Sequence, residues 1–207
     1  MKKIIFICFV LFCVTLFTGY AQKRVTATES RSTEPAEFRR VQFGLILGLN
    51  TSTLRADWSE NTVTHAGLNF GPYLKIRFIK FLGLQPGIQL STQGASWEND
   101  ERVSLIYMNI PVVLKFYVYR GLNLDFGPNL GLLVAGNWWN PYDEDWVSAT
   151  DDFTRTNLDL RFGINYEFNF GLVIVTHLNV GLSNINAYGS GFPVKSSVFQ
   201  LGVGYFF

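Results

Sequence analysis

Residues Ser196 to Phe207 read SSVFQLGVGYFF. Phe199, Leu201, Val203, Tyr205 and Phe207 share one parity, and Gln200, Gly202 and Gly204 lie between them. A period of two is the mark of a β-strand with two unlike faces. One face here is bulky and apolar, the other small and polar. A strand of a soluble sandwich and a strand crossing a membrane both leave this pattern. They differ in which face is buried, and the rest of the chain separates them.

Seven more stretches upstream repeat it. In VQFGLILGLN (41–50), Phe43, Leu45, Leu47 and Leu49 share a face. HAGLNFGPYLKIRF (65–78) sets Leu68, Phe70, Leu74, Ile76 and Phe78 against Asn69, Tyr73, Lys75 and Arg77. LGLQPGIQLSTQG (82–94) sets Leu84, Ile88 and Leu90 against Gln85, Gln89 and Gln93. LIYMNIPVVLKFYV (105–118) sets Met108, Ile110, Val112, Leu114 and Phe116 against Asn109, Lys115 and Tyr117. LNLDFGPNLGLLVA (122–135) opposes Leu122, Leu124, Phe126, Leu130 and Leu132 to Asn123, Asp125 and Asn129. NLDLRFGINYEF (157–168) opposes its apolar face to Asp159, Arg161, Asn165 and Glu167, and GLVIVTHLNVGL (171–182) does so to His177 and Asn179.

The apolar faces are almost free of charge. The polar faces are rich in Gly and Asn and lack the dense Lys and Glu of a soluble exterior. A small outer-membrane barrel has this inverted arrangement, with lipid outside and a polar lumen. The links agree. Long ones (51–64, 94–103, 136–153, 183–195) alternate with tight ones near Lys80, Arg120 and Asn169. Short periplasmic turns and long external loops are the outer-membrane pattern. Each stretch also supplies the roughly 9–11 residues that a tilted spanning strand needs. The expected fold is all-β: an eight-stranded antiparallel up-and-down transmembrane β-barrel over residues 41–207. The even strand count puts both termini in the periplasm.

At the N-terminus, Lys2 and Lys3 precede an apolar run, Ile4 to Phe17, and Gly19-Tyr20-Ala21 offers a cleavage site. Residues 1–21 therefore read as a signal peptide and the polar, aperiodic 22–40 as a flexible periplasmic leader. Cys8 and Cys13 both lie in the signal, so no disulfide framework or thiol chemistry is expected of the mature chain. The formal charge of +1 falls to −1 once Lys2 and Lys3 are removed. Nothing in that balance points to nucleic acid.

Parity turns Lys75, Arg77, Lys115, Asp125, Asp159, Arg161, Glu167 and His177 inward as a polar network. Lys115 and Asp125 flank the turn at Arg120 and should stand opposite each other as an ion pair. Arg161 with Asp159 or Glu167, and Arg77 with a carboxylate on a neighbouring strand, are expected to extend it. An eight-stranded interior is just wide enough for side chains to fill, so these charges read as a plug rather than a pore. Pro72, Pro86, Pro111 and Pro128 oppose the simple picture, because each removes a ladder donor; bulges or strand ends are expected there.

The link GNWWNPYDEDWVSATDDF (136–153) gathers Trp138, Trp139, Tyr142 and Trp146 around Asp143, Glu144, Asp145, Asp151 and Asp152. It reads as an aromatic girdle with a solvated acidic loop, or as an external binding loop for a glycan or a partner. It lacks the calcium-loop pattern of an EF-hand. No Cys/His metal cluster or phosphate-cradling loop is present, and no cofactor is expected. His65 and His177 are the chain's two histidines, and both parities turn them inward, against a Ser–His lipid hydrolase.

FGLILGLNTSTL, LQPGIQLSTQGAS, LDFGPNLGLLVAG, FQLGVGYFF and above all IPVVLKF (110–116) resemble the PorT-type outer-membrane β-barrel family of Bacteroidetes-like bacteria. The similarity spans about residues 41–207. It implies a non-enzymatic Gram-negative outer-membrane protein in contact with lipid, and a role as accessory to protein secretion with secretion components as partners. It also implies that Val203, Tyr205 and Phe207 form the signal read by the barrel-assembly machinery. A structural or adhesive surface protein binding through its external loops is the alternative, and a lipid-modifying enzyme a third.

Overall fold

The computed structural model describes residues 41–56, 62–97, 102–140, 145–187 and 194–207. The predicted signal peptide and leader, and Tyr142, Asp143 and Glu144 of the acidic loop, lie outside them. Ten antiparallel strands follow in chain order: β1 (Val41–Ala56), β2 (Thr62–Ile79), β3 (Leu82–Pro86), β4 (Gln89–Trp97), β5 (Arg102–Tyr119), β6 (Leu122–Asn140), β7 (Asp145–Ser148), β8 (Thr156–Glu167), β9 (Leu172–Gly181) and β10 (Val194–Phe206). They make eight staves. β3 and β4 are two parts of one stave lying between β2 and β5, and β7 is a short strand added to the far end of β6.

The ladder closes on itself. β1 pairs with β2 on one side and with β10 on the other, in register from Gly44 opposite Phe206 to Ala56 opposite Val194. The C-terminal stretch Ser196 to Phe206 therefore belongs to the closing strand. Phe199, Leu201, Val203, Tyr205 and Phe207 point out, and Gln200, Gly202, Gly204 and Phe206 point in. The same alternation runs round the wall: Leu49, Leu68, Leu90 and Ile164 are all more than half exposed, while Asn69, Gln89, Asn109 and Asn165 are buried. In water, so many exposed apolar side chains would be untenable. Against lipid tails they are the contact surface.

The links differ from expectation. Pairing continues to Ala56 and resumes at Thr62, and continues to Trp97 and resumes at Arg102. Much of the two links read as loops (51–64 and 94–103) is thus strand. Here the outward residues turn polar, as at Thr51, Thr64 and Ser104, so the alternation loses its hydrophobic contrast although the backbone ladder persists.

The four prolines lie in a belt across neighbouring staves. Pro86 ends β3, and β4 resumes two residues after Gly87 in the same register against β5. The Gly87 amide donates to the Pro111 carbonyl at 3.0 Å, and the Ile88 amide donates to that of Pro72 at 3.0 Å. Pro72 and Pro128 each follow a glycine in the repeated motif Phe-Gly-Pro (70–72 and 126–128). A Cβ on Gly71 would collide with the Ile88 carbonyl oxygen, and one on Gly127 with that of Val112. Where proline has no N–H to offer, the preceding glycine lets the neighbouring carbonyl close onto its Cα, the geometry of a Cα–H···O contact. Only one of the four sites is thus a strand end.

A closed barrel should migrate differently on a detergent gel before and after boiling. Gly127→Val forces a side chain into the Val112 carbonyl and is expected to cost at least the ~1–3 kcal/mol of an overpacked core. Loss of the heat-dependent shift in this variant, with the wild type retaining it, is the outcome expected.

Candidate functional site

The inward residues fill the lumen in three layers. Nearest the short turns, a chain of ionisable groups crosses the barrel. Lys75 Nζ lies 2.8 Å from Glu167 Oε2, and Glu167 Oε1 lies 3.7 Å from Lys115 Nζ. Lys115 Nζ is 3.0 Å from Asp125 Oδ1, whose other oxygen is 3.3 Å from His177 Nε2. Five side chains from β2, β8, β5, β6 and β9 are thereby linked. Lys115 stands directly opposite Asp125 in the β5–β6 ladder, as the spacing around Arg120 predicts. Lys115 also donates to Asn123 Oδ1 at 2.8 Å, and Lys75 lies 4.2 Å over the Phe206 ring. Arg77 stacks 3.6 Å above Tyr117. A Cβ on Gly163 would meet the His177 ring at 2.5 Å, so the glycine makes room for the imidazole.

The middle layer is organised by Arg161, 1% exposed. Its guanidinium donates to Asn179 Oδ1 at 2.7 Å, to Gln89 Oε1 at 2.9 Å, and to Gln200 Oε1 and Tyr73 Oη at 3.4 Å. One side chain on β8 thus reaches β9, β4, β10 and β2. This corrects the expected pairing of Arg161 with Asp159 or Glu167. Asp159 accepts instead from Asn129 at 2.9 Å, Asn157 at 2.8 Å and Ser196 at 3.3 Å, and Glu167 bonds Lys75. The long guanidinium reaches across the narrow lumen to uncharged groups on other staves, while Asp159 finds its donors on its own strand and on β6 and β10.

Beyond this layer the lumen turns apolar, which the sequence reading did not anticipate. Val103, Leu105, Tyr107 and Leu133 form one buried cluster, and Leu54, Ala95 and Ile185 another. Phe153 packs against both. It comes from the β6–β8 link and Ile185 from the β9–β10 link, and the two links are tied together: Thr154 N–H donates to Ile185 O at 2.8 Å, and Ala187 N–H to Asp152 O at 3.1 Å. The long-link mouth is therefore capped by its own links. The signal was present in RVSLIYM (102–108), where Val103, Leu105 and Tyr107 share the parity of inward Asn109.

The girdle reading of the tryptophans needs correction at Trp138. The β5–β6 register shifts by one between Ile106 and Tyr107, across from Val134. The bulge inverts the parity of β6 beyond it, and Trp138 turns onto the apolar cap. Trp139 is half-buried and opposes Trp146 in the β6–β7 pair, and Asp145 opens β7, exposed. His65 is half-buried on β2, and His177 is buried on β9 against Asp125. Among the described residues no group of His, Cys, Asp and Glu could hold a metal ion. The predicted assembly residues Val203, Tyr205 and Phe207 all face outward, with Phe207 stacked on Phe43 at 6.5 Å and its amide bonded to Phe43 O at 2.8 Å.

Comparison with known proteins agrees with this geometry. Residues 20–187 match the family described as outer membrane protein beta-barrel domain. Ail, the attachment invasion locus protein of Yersinia pestis, solved with the heparin analogue sucrose octasulfate, superposes with a TM-score of 0.54 at 15% identity, over 82% of this chain and 100% of that one. Neisserial surface protein A superposes with a TM-score of 0.51 at 11% identity, over 79% of this chain and 96% of that one. At such identities the likeness establishes the fold alone. No curated protein matches the chain.

Three variants test the layers separately. Asp125→Ala removes the carboxylate shared by the buried Lys115 and His177 and is expected to destabilise the barrel by about 3–5 kcal/mol, whereas Lys115→Met with Asp125→Leu should recover most of that loss. Urea unfolding in lipid vesicles measures both. Phe153→Ala should leave the barrel folded but speed proteolysis within 136–153 and 183–195; unchanged cleavage would show that Phe153 does not hold the cap.

Proposed function

The chain belongs to the outer membrane protein beta-barrel domain family, and from that premise we propose that it is a closed, non-enzymatic surface barrel that acts through its external rim. The observation that carries this reading is the filled lumen: Arg161 bonds to four other staves, and the links themselves plug the mouth above it. Such an interior supports the barrel and passes nothing. His177 serves the interior, bonded to Asp125 and walled by Gly163, a poor position for attack on a lipid outside. The short turns face the periplasm together with both termini, and the long links face out. Val203, Tyr205 and Phe207 act as the assembly signal, on the strand that closes the ring.

An adhesive role fits the solvated, acidic part of the rim, where Asp145 and Asp151 are exposed. It also fits the fold shared with an attachment protein. The second reading is the PorT-type one, an accessory of an outer-membrane secretion assembly. Its support is IPVVLKF, which supplies inward Lys115 and the outward Ile110, Val112, Leu114 and Phe116.

In planar bilayers the purified barrel is expected to give no step conductance, and stable ohmic steps would overturn the closed-barrel reading. Cross-linked pull-down from native outer membranes separates the two roles. Recovery of the barrel alone is expected for a stand-alone surface protein, whereas stoichiometric secretion components would favour the accessory role.

A further inference from the structure

The two rims differ in charge. At the long-link rim acidic and basic residues mix, with Asp145, Asp151, Arg102, Arg155 and Lys195 all exposed. Among the described residues the short-turn rim carries three hairpin turns, Ile79-Lys80-Phe81, Tyr119-Arg120-Gly121 and Phe168-Asn169-Phe170-Gly171, which contain no carboxylate side chain. The two cations of these turns, Lys80 and Arg120, sit on adjacent corners. β3 pairs with β5, and the Tyr117 amide donates to Phe81 O at 2.9 Å, which seats the Lys80 turn beside the Arg120 turn. The third corner, at Asn169, carries no charge. Lys80 and Arg120 are both exposed.

The surroundings of this pair place it at a membrane surface. Phe78, Phe81, Val118 and Tyr119 are 52%, 61%, 57% and 64% exposed. They mark the edge of the apolar band, where girdle aromatics lie at headgroup level. Arg120 stands 5.4 Å over the ring of Tyr119, which holds the cation at that level. A lysine in the same position reaches past the band with its apolar stem along it. Two exposed cations on neighbouring turns of one rim, with no carboxylate among the turn residues, form a surface complementary to an anionic lipid headgroup.

We propose that the Lys80–Arg120 side of the short-turn rim binds anionic phospholipid headgroups of the facing leaflet. The uncharged Asn169 corner does not, so the annular lipid is sorted around the barrel. This rests on the barrel reading above, with the short turns at one membrane surface. Lysine and arginine near an anionic surface each contribute enough to change lipid retention about fivefold.

The full chain is refolded in phosphatidylcholine nanodiscs with and without phosphatidylglycerol, and retained lipid is read by native mass spectrometry. Wild type should retain phosphatidylglycerol over phosphatidylcholine. Lys80→Gln and Arg120→Gln should each lower that preference about fivefold, and the double variant should abolish it. Arg120 adopts φ 36°, and glutamine keeps the same backbone demand, so folding should be unaffected. Added inorganic phosphate should not displace the lipid; displacement would mean that free phosphate is the ligand and would overturn the proposal. Equal retention of both lipids, or an undiminished preference in the double variant, would also overturn it. The heat-dependent gel shift of the same samples reports the barrel independently, so a folded barrel without lipid preference would sink this inference and leave the barrel reading standing.

Discussion

A backbone amide in hydrocarbon has no water to turn to, and each one left unpaired costs several kcal/mol. The pairing of β1 with β10 follows from that constraint, and so does most of the rest of the molecule. Closure needs a last strand whose outer face suits lipid and whose inner face suits a narrow lumen. SSVFQLGVGYFF supplies both, with bulky residues outside and Gly202 and Gly204 inside. The prolines show how strictly the constraint is met. None lies on a free edge, and at Pro72 and Pro128 the lost donor is offset by a glycine that admits the neighbouring carbonyl.

Eight staves enclose a lumen too narrow for bulk water and too polar to pack like a soluble core. Charges placed there must find partners within the wall. Lys75, Glu167, Lys115, Asp125 and His177 do so as an alternating chain, and Arg161 does so with neutral amides. Partnered in this way the groups hold the staves in register, and above them the apolar cap seals the mouth. The lumen is thus internally solvated by its own side chains.

How far the sequence reached can be judged at particular residues. The Lys115–Asp125 pair was legible because both residues lie five positions from Arg120, although the two-residue turn pairs Tyr119 with Leu122 and it is a register shift between Tyr117 and Tyr119 that brings Lys115 opposite Asp125. The partners of Arg161 were not, because they come from β2, β4, β9 and β10, and nothing local specifies which side chains meet across a lumen. Trp138 was misplaced for a related reason. One extra residue at Val134 inverts the parity of everything beyond it, and a bulge leaves little mark in the sequence.

Fold, stave number and, up to the bulge at Val134, the inward and outward sets were written in the period-two alternation, since a strand's faces are fixed by covalent geometry and the surrounding solvent chooses between them. The alternation also places Lys80 and Arg120 in tight turns. Only the tertiary structure decided that those turns are neighbours, that Phe153 and Ile185 meet over the mouth, and that Glu167 belongs to Lys75. Each of these joins residues distant in the chain, and their meeting depends on the curvature and register of the whole closed sheet.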